Sequence, residues 1–303
     1  MSGGDGIIEP VRLTGFPEIK EAFLTDSLQA TFILAPMAMK LREEGHGIKI
    51  VYLGHRDGTT MMVGKDSDIH EIEDLTRPHF VGGKKVKRRI AIPSRLSNQF
   101  LILFKAFRER KMEIDDVIFE DVKPPDMPLK LKQGHVDAII AGEPLMAQTE
   151  VAGFGRVLFM TKHVWPEFIS CVLAVKDSTI RTRRPEVQRL VDGIARSGMW
   201  LDQDKDEPGG HNHRMQASRF MSKHYDPELL AYVLSKPPDR VKYTNLNVRR
   251  EDFDNIRKYF LLAAPYMNAS DRFKGTVDFD DYCDPSFVPE GRVLEPYRWE
   301  MKK

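Results

Sequence analysis

Leu131-Lys132-Gln133-Gly134-His135-Val136-Asp137-Ala138-Ile139-Ile140-Ala141-Gly142-Glu143-Pro144 leaves an amphipathic segment through Gly134, runs through an uninterrupted apolar stretch, and exits through Gly142 into a second amphipathic segment. A short apolar run bounded by glycines reads as a strand, here Ala138 to Ala141. The flanking segments, Pro125 to Gln133 and Glu143 to Ala152, read as helices. This helix–strand–helix unit is the repeating motif of an α/β protein.

Working outward, the same alternation fills the first half of the chain. Further strands are predicted at Val11–Leu13, Thr31–Leu34, Ile48–Leu53, Arg89–Ile92, Val117–Asp121, Val157–Phe159 and Cys171–Val175, and the pattern implies largely parallel sheets. Helices are predicted at Pro17–Leu24, Pro36–Glu44 and Ser97–Lys111, the last capped by Ser97 and striped with Phe100, Leu101, Phe104 and Phe107. After Lys176 the character changes to helices at Pro185–Trp200, His213–His224, Pro227–Leu234 and Glu251–Ala264. A polar loop spans Asp202–Gly210, and the tail from Asp278 is rich in Pro, Asp and aromatics.

Composition narrows the function. The 303 residues are 41% hydrophobic and 30% charged, with 46 Lys+Arg against 45 Asp+Glu. A net charge of +1 provides no global field for nucleic acid or an anionic membrane. The one basic run, Lys84-Lys85-Val86-Lys87-Arg88-Arg89, reads as the solvated start of a strand. No apolar run approaches the ~20 residues needed to span a bilayer. Cys171 and Cys283 form neither a disulfide framework nor a metal cluster, and His211 with His213 lacks a third ligand, so no metal or cofactor is expected. Nucleophile elbows, phosphate loops and His-Glu-x-x-His are absent, leaving no catalytic residues to nominate. Glu143 stands apart because it follows a strand and opens a helix, where open α/β sheets bind ligands. It serves equally as a first-turn carboxylate favoured by the helix dipole.

Pro124-Pro125-Asp126-Met127, Leu131 to Ala138, Gly142-Glu143-Pro144-Leu145-Met146-Ala147-Gln148 and Gly153-Phe154-Gly155 together resemble the ABC-transporter solute-binding proteins for nitrate, bicarbonate, aliphatic sulfonates and taurine. Leu34-Ala35-Pro36-Met37, Asp74-Leu75 and Pro93 before a helix fit the same order, from about Val11 to Trp200 and more loosely to Phe279. The resemblance implies a two-lobed periplasmic-binding-protein-like fold of type II with a helical C-terminal part. Residues 1–89 plus 171–303 would form lobe one and residues 90–170 lobe two. It also implies closure of the lobes around a small molecule, an ABC-transporter permease as partner, and an extracytoplasmic location. No signal peptide stands at the start, which leaves a cytoplasmic location open.

Ligand contacts of the nitrate-binding relatives fall on Phe16, Thr59, Ser97 and Phe168, with Pro36, Ser94, Asn98 and Glu143 completing the implied site. A hydroxyl and a phenyl ring replace two anion ligands at Ser97 and Phe168, which implies an organic anion or heterocycle, sandwiched by Phe16 and Phe168. Phe168 reads alternatively as core packing. The strand-helix unit that usually precedes Val11 is absent, implying either an upstream start or a divergent, non-exported branch, and an exposed edge prone to self-association. Three further readings stand beside the receptor: a thiamine-pyrimidine-synthase-like enzyme, which two isolated cysteines disfavour; a desulfinase-like enzyme needing Cys171 as nucleophile; and a ligand-sensing domain.

Overall fold

The computed structural model describes residues 8–13, 15–203, 213–221, 224–235 and 240–287. In chain order they form α1 (Phe16–Leu24), β1 (Ala30–Leu34), α2 (Ala35–Glu43), β2 (Ile48–Asp57), β3 (Thr59–Gly64), β4 (His79–Val81), β5 (Lys84–Val86), β6 (Arg89–Ile92), α3 (Asn98–Glu109), β7 (Ile118–Asp121), α4 (Met127–Lys132), β8 (Ala138–Gly142), α5 (Leu145–Val151), β9 (Gly155–Met160), β10 (Ile169–Lys176), α6 (Asp177–Thr182), α7 (Arg184–Asp202), α8 (His213–Phe220), α9 (Pro227–Ser235), β11 (Val241–Lys242), α10 (Arg250–Ala263) and α11 (Phe279–Tyr282).

The strands divide between two main sheets, one ordered β1-β10-β2-β11 and the other β7-β6-β8-β3-β9, with β4 and β5 pairing only with each other. The apolar run Ala138–Ala141 lies inside the second sheet, and its side chains alternate between two cores. Ala138 and Ile140 join the main core with α3, while Ile139 and Ala141 join a smaller one with Met127, Leu131 and Met146 of α4 and α5. A strand with helices on both faces has no polar side, which is why its sequence shows no alternation. The main core continues through the first sheet and takes in α7 and α10.

Two expectations need correction. Among the named strands of the described residues, β7-β6-β8 pair in parallel, whereas β10 runs antiparallel to β1 and β2, and β3 antiparallel to β8 and β9. Each sheet thus takes in a strand that has just arrived from the other sheet, entering from the opposite end. Val11–Leu13 forms no strand: Val11 is 58% exposed and Arg12 reaches instead to His224, at 2.7 Å. So short and exposed a segment gains little by pairing with an edge. Strand β3, which lies ahead of Ile90 in the chain, belongs to the second sheet. The chain therefore passes between sheets at Asp57–Thr59 and again between Met160 and Ile169. The polar loop expected at Asp202–Gly210 falls largely outside the described residues, as does His211.

Candidate functional site

Where β2 hands over to β3, Asp57 and Gly58 have φ of 58° and 76°. Consecutive left-handed residues turn the chain sharply, and Asp and Gly are among the few that accept this backbone. A side chain at Gly58 would also press on His55 and Val241 at 3.0 and 3.1 Å. Three segments close on this turn through main-chain hydrogen bonds. Asp57 N donates to Phe168 O (2.8 Å), Gly58 N to Arg240 O (2.7 Å), and Glu143 N to Gly58 O (2.8 Å).

Around the turn lies a buried polar seam. Glu143 accepts from Thr60 Oγ1 (2.9 Å) and from the Ala147 amide (2.8 Å), and the guanidinium of Arg240 binds it at 2.7 Å while also gripping Glu150 at 2.5 Å. The Glu143 and Arg240 side chains are only 1% and 3% exposed. Burial works against the Arg240 charge, but the two carboxylates more than offset it, and its pKa is raised. Gln99 donates to Thr59 Oγ1 (3.2 Å), and Asn98 donates its amide to the carbonyls of Ile169 (3.2 Å) and Ser170. Ser97 caps α3 by accepting from the Phe100 amide at 3.2 Å. Directly before the turn, the fully buried Arg56 binds Asp252 at 2.7 Å and donates to the carbonyls of Asn245 and Glu167.

Thr59, Ser97, Asn98 and Glu143 are therefore brought to one seam, and Phe168 joins it through its backbone. The Phe168 ring is buried in the main core, 4.7 Å from Trp165, while Phe16 lies partly buried on α1. Among the described residues these two rings form no pair with each other. Pro36 is buried in the first turn of α2, following Leu34, which pairs with Cys171 at the start of β10; Ser94 is half-buried ahead of α3.

Sequence reasoning missed Asp57, Gln99 and Arg240. The Asp57-Gly58 dipeptide between apolar runs was a turn signal for the first. Arg240 had none, since it reaches Glu143 from 97 residues away. Both Asp57 carboxylate oxygens, Asn98 Oδ1 and Gln99 Oε1 are buried without hydrogen-bond partners among the described residues. Burial pushes Asp57 up to about 6, against the opposing pull of Lys242. Burial also drives His55 down to about 4, keeping its imidazole neutral, and lifts the Tyr243 hydroxyl to about 12. Beyond Val241, which pairs with Asp57, a cavity of about 200 Å³ is walled by Glu167, Lys242, Asp202, Arg214 and Thr244. Among the described residues no group of three His, Cys, Asp or Glu side chains could hold a metal ion, and no helix is long and apolar enough to cross a membrane.

The profile of the NMT1-like family matches residues 3–211. No curated protein sequence matches. A zinc-bound ligand-binding component of an ABC-type import system from Staphylococcus aureus superposes with a TM-score of 0.74 at 21% identity, covering 91% of this chain and 85% of that one. The periplasmic nitrate-binding protein NrtA from Synechocystis PCC 6803 gives 0.70 at 13% identity, covering 91% and 77%. The desulfurization enzyme DSZB gives 0.55 at 15% identity, covering 86% and 84%. Identities this low establish the periplasmic-binding-protein fold and leave the ligand open.

Proposed function

Because the chain belongs to the NMT1-like family and has the fold of ABC-import binding proteins, we propose that it captures a small organic molecule at the junction of its two sheets. It would deliver that molecule to a permease outside the cytoplasmic membrane. Lobe two would then begin at Thr59 rather than at Ile90, with hinges at Asp57–Thr59 and at the connection from β9 to β10.

The observation that supports this reading is the set of buried acceptors at the junction: Asp57, Asn98 and Gln99. An unpaired buried polar group costs about 1–3 kcal/mol, and such groups persist where function retains them. The Asn98 orientation is fixed, because its nitrogen already donates to two carbonyls and its oxygen must be the free end. Acceptors call for donors. Nitrate and sulfonate offer only oxygens, so the seam favours the heterocycle over the anion, in particular one with N–H groups. The adjoining cavity of about 200 Å³ restricts the ligand to a small one.

An enzyme with a cysteine nucleophile draws less support. Cys171 is half-exposed as a residue, yet burial of its thiol lifts the pKa to about 12, so the thiolate is scarce at neutral pH. Native mass spectrometry of protein purified from its own producing cells should show a retained small organic molecule, unchanged on incubation. Titration calorimetry should then rank an amino-substituted nitrogen heterocycle above an alkanesulfonate and nitrate. Nitrate binding as tightly as the best heterocycle would overturn the ligand class, and turnover of the retained molecule would overturn the receptor reading.

A further inference from the structure

The hairpin of β4 and β5 stands apart from both sheets. Its strands pair only with each other, in the register His79↔Val86, Phe80↔Lys85 and Val81↔Lys84. The turn is Gly82-Gly83, with φ of 57° and 78°, and a side chain at either glycine would meet nothing within 4 Å, so the tip projects into open space. Its root is fixed: Arg88, only 6% exposed, binds Asp68 at 2.6 Å and Asp137 at 3.2 Å, and Arg89 pairs with Glu120.

At the tip Phe80 is 61% exposed and Val81 59%. Lys84, Lys85 and Lys87 are exposed as well. Neither Lys84 nor Lys85 has an acidic partner among the described residues, and Lys87 reaches only the Asp115 carbonyl. The register decides what this arrangement fits. Cross-strand partners share a face, so Phe80 lies with Lys85 on one side of the hairpin and Val81 with Lys84 on the other. A protein partner that covers one face would select for apolar residues on that face alone. Here each face carries an apolar residue beside a cation, which suits a medium that surrounds the tip. In the interface of an anionic bilayer, apolar side chains enter the acyl boundary while lysines reach back to the headgroups.

We propose that the β4–β5 hairpin docks the protein onto a bilayer containing anionic phospholipid, with Phe80 and Val81 inserted and Lys84 and Lys85 held against the headgroup phosphates. This explains why three lysines and three exposed apolar side chains, Phe80, Val81 and Val86, share one hairpin outside both sheets. It is independent of what the seam binds.

The test is co-sedimentation of the full chain with phosphatidylcholine vesicles and with vesicles of phosphatidylcholine and phosphatidylglycerol in equal parts. Binding is expected only to the mixed vesicles, weakening as salt is raised. Each lysine beside an anionic surface contributes roughly fivefold to partitioning, so Lys84→Gln with Lys85→Gln should reduce it by about 25-fold. Phe80→Ser with Val81→Ser should weaken binding even at low salt. All these positions are exposed, so circular dichroism should be unchanged. Equal binding to both vesicle types, variants that sediment like the parent, or a hairpin that cross-links to a protein rather than lipid would each overturn the proposal.

Discussion

Asp57 concentrates the tension between stability and function in one residue. Its carboxylate is buried without a donor, and its pKa rises from 3.8 to about 6. The folded state therefore takes up a proton that the unfolded chain releases near pH 4. Stability falls as pH rises from about 4 to about 6 and stays low above that, because the folded protein then carries a buried unpaired charge. Asn also accepts a left-handed backbone, so Asp57→Asn removes the charge and keeps the turn. Thermal denaturation should show the variant melting above the parent at about pH 7.5, with the gap closing toward about pH 4; a gap independent of pH would sink the assignment. If the seam holds the ligand, the same variant should bind it more weakly, the usual exchange of activity for stability.

Among the elements, α7 offers a paired test. Gly193 and Gly198 lie on the same helix, where glycine ordinarily costs about 1 kcal/mol relative to alanine. A side chain at Gly193 meets nothing within 4 Å, so Gly193→Ala should stabilise by about 0.5–1 kcal/mol. One at Gly198 would collide with the Tyr243 carbonyl, and Gly198→Ala should cost about 1–3 kcal/mol by overpacking. Because Tyr243 directly follows β11, the second variant should also disturb Arg240 and weaken ligand binding. Thermal melts of both variants read the sign, and equal shifts would mean that α7 does not fix β11. These elements also show what the chain discloses in advance. Strands and helices with strong period or punctuation, such as Ala138–Gly142 and the Ser97-capped α3, were legible. The strand Thr59–Gly64 was not, since Thr-Thr-Met-Met-Val-Gly shows neither alternation nor a boundary other than the turn before it. Nor was the packing of Phe168: a ring beside Trp165 reads the same in sequence whether it faces a cleft or a core.

On the scale of the whole molecule, the two sheets are tied by more than their connecting strands. Arg240 stands beside β11 of the first sheet and holds Glu143, just before α5, and Glu150, within α5, on the second. Asn98 of α3 donates to carbonyls at the start of β10. Helix α10 lies against α3, with Tyr259 Oη donating to Glu109 at 3.2 Å, and just beyond it the Tyr266 ring stands 5.7 Å from Phe104. Closure around a ligand needs a seam able to part, and the buried Arg240–Glu143 pair is a polar tie across it. Arg240→Met keeps much of the side-chain volume but leaves Glu143 buried without its cation, which costs about 3–5 kcal/mol in the closed arrangement. Parting the sheets relieves that cost by admitting water, so the variant should shift toward an open form rather than simply unfold. Small-angle scattering reads the difference. The parent should show a radius of gyration near the ~19 Å of a compact chain of this length, with little further change when ligand is added. Arg240→Met should be larger without ligand and contract when ligand is present, as binding favours the closed state. A variant as compact as the parent without ligand, and equally stable, would show that the pair does not hold the sheets together.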